Sequence, residues 1–182
     1  GVTFLVLLAS AAFRSSVGVM IVPLEDEFGW TRSATSLAIS VNLVFYGLTA
    51  PFAAALMERF GIRRIAALAL LLISAGTGLT LLMTQSWQLV LLWGVLVGLG
   101  TGSTALVFGA LVTARWFAHR RGLVLGVLGA AWATGQLVFL PFLAHTIETQ
   151  GWRYASLGIS LACLALIPLV WFVVADRPSD VG

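Results

Sequence analysis

The chain has 182 residues, of which 60% are hydrophobic and 9% are charged, and its formal net charge is +3. Soluble globular domains carry about a quarter of their residues as charged side chains, so this composition excludes a free soluble enzyme and a disordered protein. The ten basic residues, all arginines, are too few for a face that tracks phosphates, which excludes a nucleic-acid binder. One cysteine excludes disulfide frameworks and cysteine metal sites within the chain, and the sequence predicts neither a cofactor nor a metal.

Six charge-poor stretches, each long enough to cross a bilayer core that takes about 20 apolar residues, predict six transmembrane helices. The predicted fold is an all-α membrane domain over residues 1–182. Its helices are expected near residues 2–23, 33–57, 65–84, 88–113, 122–145 and 154–175. The first span holds Arg14 inside its apolar run and precedes five others, unlike a signal peptide. Because the chain begins at Gly1 rather than Met, we expect the natural N-terminus to lie upstream.

The placement of the arginines predicts the orientation, since cytoplasmic loops are enriched in Lys and Arg. The breaks after the second and fourth predicted helices hold six of the ten arginines. We therefore expect both breaks and both ends of the chain on the cytoplasmic side, where Arg177 adds to the charge. The expected location is a bacterial inner (plasma) membrane.

Arg14 is the one charged residue predicted deep in the membrane, about 15 Å inside a hydrocarbon core about 30 Å thick. A cation at that depth is costly unless it faces protein or water. Ser10, Arg14 and Gly18 share one face of the helix. Arg14 either lines a cavity that attracts an anionic substrate or is a structural residue bonded to carbonyls or an acid. No acidic residue is predicted inside the membrane, which favours the cavity.

Several other polar residues are predicted at membrane depth, where each is more often an interhelical contact than a ligand contact. They are Asn42, Tyr46, Thr101, Ser103, Thr104, Thr134 and Gln136. Asn42, Tyr46 and Gln136 are large enough to reach into a cavity, and with Arg14 they form the predicted substrate-binding set. Because the acids lie in breaks or at helix ends, any proton-coupling carboxylate is expected outside these residues, unless coupling is by exchange.

Glycines recur at a spacing of four on two predicted helices: Gly94, Gly98 and Gly102 on the fourth, and Gly122 and Gly126 on the fifth. This spacing lets helix backbones approach closely. The columns indicate either static packing or close contact between the fourth and fifth helices that lets them slide during gating.

Residues 54–64 read Ala-Ala-Leu-Met-Glu-Arg-Phe-Gly-Ile-Arg-Arg. They resemble the signature loop between helices two and three of the major facilitator superfamily, with Ala54 in place of a glycine and Glu58 in place of an aspartate. The resemblance implies a charged loop that helps to latch the cytoplasmic gate, and a plain positively charged loop is the alternative. Its residues are Glu58, Arg59, Gly61, Arg63 and Arg64.

Residues 116–126 read Trp-Phe-Ala-His-Arg-Arg-Gly-Leu-Val-Leu-Gly. They resemble the entry to helix five of monocarboxylate transporters and their oxalate/formate antiporter-like relatives, with Val124 in place of the usual alanine. Residues 27–33, 151–153 and 177–182 fit the same group. The match adds Arg120 and Arg121 to the gating residues. The fifth helix lacks the Gly-Pro-x-x-Gly-Gly motif of drug/proton antiporters, which disfavours drug efflux.

Full members of that superfamily have two six-helix halves, each made of two inverted three-helix repeats. The resemblance therefore implies an N-terminal half whose partners are a C-terminal half, the lipid bilayer and a small anionic substrate. A natural six-helix chain that dimerises is the alternative.

The implied function is secondary active transport of a small mono- or dicarboxylate by alternating access, without enzymatic activity. Transport of another solute and a non-transporting sensor or assembly protein remain alternatives. An intramembrane serine protease is disfavoured, because Thr104 follows Ser103 where that motif needs glycine and no histidine lies deep in another helix.

Overall fold

The computed structural model describes residues 2–104, 106–117 and 119–173, and all regular structure in these ranges is helical. The all-α class predicted from composition is confirmed. The helices are α1 (Val2–Phe28), α2 (Arg32–Phe60), α3 (Ile62–Leu79), α4 (Ser86–Trp116), α5 (Arg121–Gln150) and α6 (Trp152–Val173). A 3-10 turn, Thr80–Leu82, extends α3.

Five of these helices, α2 to α6, are long and apolar enough in the described residues to cross a membrane. They span 21 to 31 residues when the turn after α3 is included, and a bilayer core needs about 20. α1 is a helix of 27 residues. Its role as a sixth span stays a prediction.

Most described helices run further than the apolar stretches that predicted them. α1 continues through the acidic residues Glu25, Asp26 and Glu27, so these lie in its last turns rather than in a loop. The break expected over residues 58–64 is Gly61 alone, and the break over 146–153 is Gly151 alone. Both glycines have φ near +100°, a conformation that lets a helix end abruptly and that side chains disfavour. The predicted end of the sixth helix and Arg177 lie outside the described residues.

α4 changes its hydrogen-bonding pattern along its length. It is α-helical over Ser86–Leu89, π-helical over Val90–Val97, and α-helical again over Gly98–Ser103 and Leu106–Trp116. π-helical turns are rare and widen the helix by one residue per turn. The widened part contains Trp93.

The helices pack in a regular set of pairs. α1 packs along α5, α2 along α4, and α3 along α6. Further contacts join α1 to α6, α3 to α4, α2 to α3, and α5 to α6. The two ends of the bundle are named the Glu27 end, where α1 ends and α6 begins, and the Gly61 end, where α2 ends and α3 begins.

A pair of serines holds α3 against α6 in the interior. The Ser74 hydroxyl donates to the Ser160 carbonyl at 3.0 Å, and the Ser160 hydroxyl donates to the Ser74 carbonyl at 2.9 Å. Both side chains are buried. In these two helices, small polar residues therefore serve as interhelical contacts.

Candidate functional site

Three of the four predicted substrate-binding residues meet inside the bundle. Arg14 on α1 donates from Nη1 to Asn42 Oδ1 on α2 at 3.1 Å. The Arg14 guanidinium carbon lies 4.2 Å from the centre of the Tyr46 ring, one turn further along α2. Asn42 is buried, whereas Arg14 and Tyr46 are half-buried. The three residues are called the Arg14 cluster.

The Arg14 cluster is suited to an anion. A guanidinium has five N–H donors and no acceptor, and its planar fork matches a carboxylate. Two ion pairs, Glu25–Arg32 and Glu27–Arg153, lie at the Glu27 end and do not involve Arg14. The Arg14 charge is thus held by an amide and an aromatic face rather than by a carboxylate in the described part of the chain. A cation in such a place attracts negative charge.

Asn42 connects the Arg14 cluster to α4. Its amide nitrogen donates to the backbone carbonyl of Trp93 at 2.6 Å. Trp93 lies in the π-helical part of α4, is 3% exposed, and packs edge-on against Phe13 with ring centres 5.8 Å apart. Its indole Nε1 is buried without a hydrogen-bond acceptor among the described residues. Leaving a buried donor unsatisfied costs about 1–3 kcal/mol, so this atom needs an explanation.

The glycine column of α4 lets α2 come close enough for these bonds. A Cβ added at Gly94 would lie 2.7 Å from Val41 Cγ1, one at Gly98 would lie 3.1 Å from the Asn42 carbonyl oxygen, and one at Gly102 would lie 2.9 Å from the Tyr46 carbonyl oxygen. Any larger residue would push α2 away.

The glycine column of α5 is different from that of α4. A Cβ added at Gly122 or Gly126 would meet nothing within 4 Å. The expectation that the two columns bring the fourth and fifth helices together is therefore wrong. The α4 column faces α2, and the Gly122–Gly126 column faces open space.

Ser10, predicted on the same face as Arg14, is buried, and its hydroxyl lies 2.5 Å from that of Thr104 on α4. The hydroxyls of Thr101 and Ser103 instead bond to carbonyls of their own helix. Thr104 thus makes an interhelical contact, the more frequent role expected for it, whereas the bonds of Thr101 and Ser103 lie within α4.

Gln136, the fourth predicted substrate-binding residue, is half-buried on α5, the helix along which α1 packs. The structure thus places it on a neighbouring helix. Its role in binding stays a prediction.

The predicted gating residues lie at the Gly61 end. Glu58 and Arg59 are in the last turn of α2, and Arg63 and Arg64 are in the first turn of α3, because Gly61 is the whole connection. The Arg59 guanidinium lies 5.3 Å from the Phe60 ring centre, and that of Arg63 lies 6.0 Å from the ring centre of Trp171 on α6. Their role in gating stays a prediction.

Arg120 and Arg121 lie at the start of α5 and are exposed. The Arg121 Nε donates to the carbonyl of Phe117 at 3.3 Å, which ties the start of α5 to the end of α4. They share the Gly61 end with the signature loop.

A polar cluster at the Glu27 end was not expected from the sequence. Glu27 forms an ion pair with Arg153 at 2.6 Å and accepts a hydrogen bond from the Trp152 indole. Arg153 also donates to the carbonyl of Leu81 at 3.0 Å. The hydrogen bonds from Arg153, and then from Trp152, hold the pKa of the Glu27 carboxyl below its usual range. The motifs that contain these residues are visible in the sequence, but a pairing across 126 residues is not.

A groove of about 760 Å³ runs between α5 and α6. Its walls are mostly apolar, and its polar lining residues, among them His145, Thr149 and Tyr154, lie toward the Glu27 end. None of the Arg14 cluster lines it.

Comparison with known proteins identifies the family. The sequence profile of the Major Facilitator Superfamily matches residues 3–182. The MFS-type transporter YcxA of Bacillus subtilis is 29% identical over 97% of this chain and 43% of its own length. Human monocarboxylate transporter 7 is 28% identical over 82% of this chain and 28% of its own length. The chain thus spans less than half the length of these relatives.

The fold has a solved counterpart. The structure of the proton:xylose symporter XylE bound to 6-bromo-6-deoxy-D-glucose matches 96% of this chain and 44% of its own, with a TM-score of 0.72 and 19% identity. At that identity the likeness concerns the fold alone. Together with the profile match over nearly every residue, it shows that the chain is an integral membrane protein that belongs to the major facilitator superfamily of transporters.

Proposed function

We propose that this chain forms one half of a secondary transporter that moves a small mono- or dicarboxylate across the membrane by alternating access. The observation that carries the proposal is the Arg14 cluster: a half-buried guanidinium held by the Asn42 amide and the Tyr46 ring. A carboxylate offers acceptors and a negative charge, and both are complementary to this cation.

The helix pairs support an arrangement of two inverted repeats, α1–α3 and α4–α6. In this arrangement α1 corresponds to α4, α2 to α5 and α3 to α6. Exchanging the corresponding helices turns the α1–α5 pair into the α4–α2 pair, and the α1–α6 pair into the α4–α3 pair. The α3–α6 pair maps onto itself. A pseudo-two-fold axis in the membrane plane would produce this exchange.

The exposed helices support a second half as partner. Among the five spans, α2 and α5 are the least buried and α4 the most buried. α2 and α5 occupy equivalent places in the two proposed repeats. Their open faces are where a second six-helix half would pack, with the substrate enclosed between the halves near the Arg14 cluster.

The charges at the Gly61 end support a cytoplasmic gate. Glu58 lies at the C-terminus of α2, and Arg63 and Arg64 lie at the N-terminus of α3, so each opposes the dipole of its own helix. Opposite charges on another domain would stabilise these side chains, and a gate can make and break contacts of that kind. The arginines at this end also support its placement on the cytoplasmic side of a bacterial inner membrane.

The substrate class rests on two points besides Arg14. A relative over 82% of the chain is named a monocarboxylate transporter. The described acids lie at or near helix ends, so this part of the chain offers an anion little competition for Arg14.

The test is uptake by the full-length protein in proteoliposomes. Labelled acetate, L-lactate and succinate are compared with labelled D-glucose, a neutral solute. We expect saturable uptake of at least one acid, inhibited by the same unlabelled acid, and no saturable uptake of glucose. Saturable glucose uptake without uptake of any acid would refute the anion proposal. Absence of flux for all four would favour a sensor or assembly role.

A further inference from the structure

Trp93 is the one buried side chain beside the Arg14 cluster whose polar atom the described contacts leave unused. The residue is 3% exposed, and its Nε1 has no acceptor among the described residues. Its backbone carbonyl and its ring, by contrast, are both engaged, by Asn42 and by Phe13. Buried polar groups are nearly always hydrogen-bonded, so an unused donor on the residue whose carbonyl Asn42 binds suggests an acceptor that binds there at another stage.

The backbone around Trp93 can present the indole differently. Val90–Val97 is π-helical and continues into an α-helical turn at Gly98. π-helical turns are frequent at functional sites. A change from i→i+5 to i→i+4 bonding in this stretch would rotate Trp93 about the α4 axis relative to Gly98.

Asn42 connects this stretch to Arg14. Its amide oxygen accepts from Arg14 and its amide nitrogen donates to the Trp93 carbonyl. An anion that binds the Arg14 guanidinium competes with the Asn42 oxygen for the same donors. Loss of the Arg14–Asn42 bond frees the Asn42 side chain to move, and the same side chain binds the Trp93 carbonyl in the π-helical stretch.

We infer that Trp93 is a specificity-determining residue of the anion site, and that its indole N–H donates to the anion held by Arg14 in the occupied state. This inference rests on the proposed function. Both groups only donate, so they favour a ligand group that accepts hydrogen bonds and brings no donor of its own. A carboxylate is such a group, whereas a sugar hydroxyl carries a proton that neither residue can accept.

The experiment uses the full-length protein and two variants at one position. Trp93→Phe removes the N–H together with part of the ring, and replacement of Trp93 by β-(3-benzothienyl)alanine keeps the ring size and substitutes sulfur for the N–H. Trp87→Phe, at an exposed tryptophan near the start of α4, is the control. Binding of labelled acetate, L-lactate and succinate is measured for each variant and for Arg14→Gln.

We expect both Trp93 variants to raise the Kd of the bound acid about tenfold or more, which is the effect of losing a hydrogen bond to a charged group, and Trp87→Phe to leave the Kd unchanged. If Trp93→Phe does not fold, the benzothienyl variant decides. An unchanged Kd in the benzothienyl variant, with weaker binding in Arg14→Gln, overturns the role of Trp93 and leaves the proposed function standing. An unchanged Kd in Arg14→Gln overturns the Arg14 anion site and this inference with it, whereas failure of the wild-type protein to bind any of the three acids overturns the proposed function.

Discussion

Glu27 joins the end of α1 to the start of α6, through its ion pair with Arg153 and its hydrogen bond from Trp152. Those bonds favour the charged carboxylate, so the folded protein holds the pKa of Glu27 below its usual range. A group with a lowered folded pKa stabilises the fold above its unfolded pKa and loses that contribution as the pH falls through the folded value. The Glu27 link is therefore expected to weaken only in acid.

The residue-scale prediction is that Glu27→Gln lowers the thermal unfolding midpoint at neutral pH, and that its difference from wild type vanishes as the pH falls below about 4. The effect is expected to be less than about 1 kcal/mol, because Glu27 is exposed and solvent screens the pair. The measurement is a series of melting curves of the full-length protein in detergent. A difference between the two proteins that grows in acid would contradict the assignment.

The roles of some single residues could be predicted from the sequence, and those of others could not. Arg14, Asn42 and Tyr46 are conspicuous because polar groups are rare in apolar helices, and the fold brings the three together. Trp93 is not conspicuous in this way, because its importance lies in one unsatisfied atom and one bonded carbonyl. Such facts follow from three-dimensional packing.

For the helices, the lengths and the residues that end them could be predicted better than the neighbouring helix that each one packs against. Apolar stretches predict the helices because a bilayer core sets their length, and Gly61 and Gly151 then fix two of the turns. A glycine column shows that a helix has a close neighbour, but it does not say which one. The sequence therefore could not show that Gly94, Gly98 and Gly102 contact α2 rather than α5. The π-helical stretch of α4 has no sequence signal that we can identify.

The element-scale prediction compares one glycine from each column. Gly102→Ala places a Cβ 2.9 Å from the backbone oxygen of Tyr46, which cannot move without shifting α2. We expect a loss of about 1–3 kcal/mol in unfolding free energy, as for other overpacked sites. In Gly126→Ala the added Cβ meets open space, and alanine is a better helix former than glycine. The unfolding free energy of this variant should therefore be unchanged or higher by up to about 1 kcal/mol. Thermal unfolding in detergent measures both, and equal effects would refute the α2–α4 contact.

At the scale of the whole molecule, the proposed topology places the Gly61 end in the cytoplasm. Cys163 is buried, so it gives little background in labelling experiments. Single cysteines at the exposed positions Glu58 and Arg120 should react with a membrane-impermeant maleimide only after the cells are opened. A cysteine at the exposed position Glu148 should react in intact spheroplasts. The reverse pattern would overturn the orientation.

The fold class followed from composition, because a chain with 9% charged residues has few alternatives to apolar helices in a bilayer. The pairing of α1 with α5, α2 with α4 and α3 with α6 did not follow, since no residue-level repeat relates the two groups of helices. Helix pairing depends on which faces fit together, and similar apolar faces fit several partners.

The central claim is that the Arg14 guanidinium binds the carboxylate of the substrate. Uptake of the transported acid is measured with Arg14→Gln, which removes the charge, and Arg14→Lys, which keeps the charge but loses the planar fork. We expect Arg14→Gln to raise KM about tenfold or more, Arg14→Lys to have a KM between those of Arg14→Gln and wild type, and both proteins to reach the membrane in normal amounts. An Arg14→Gln transporter with the KM and maximal rate of wild type would contradict this claim.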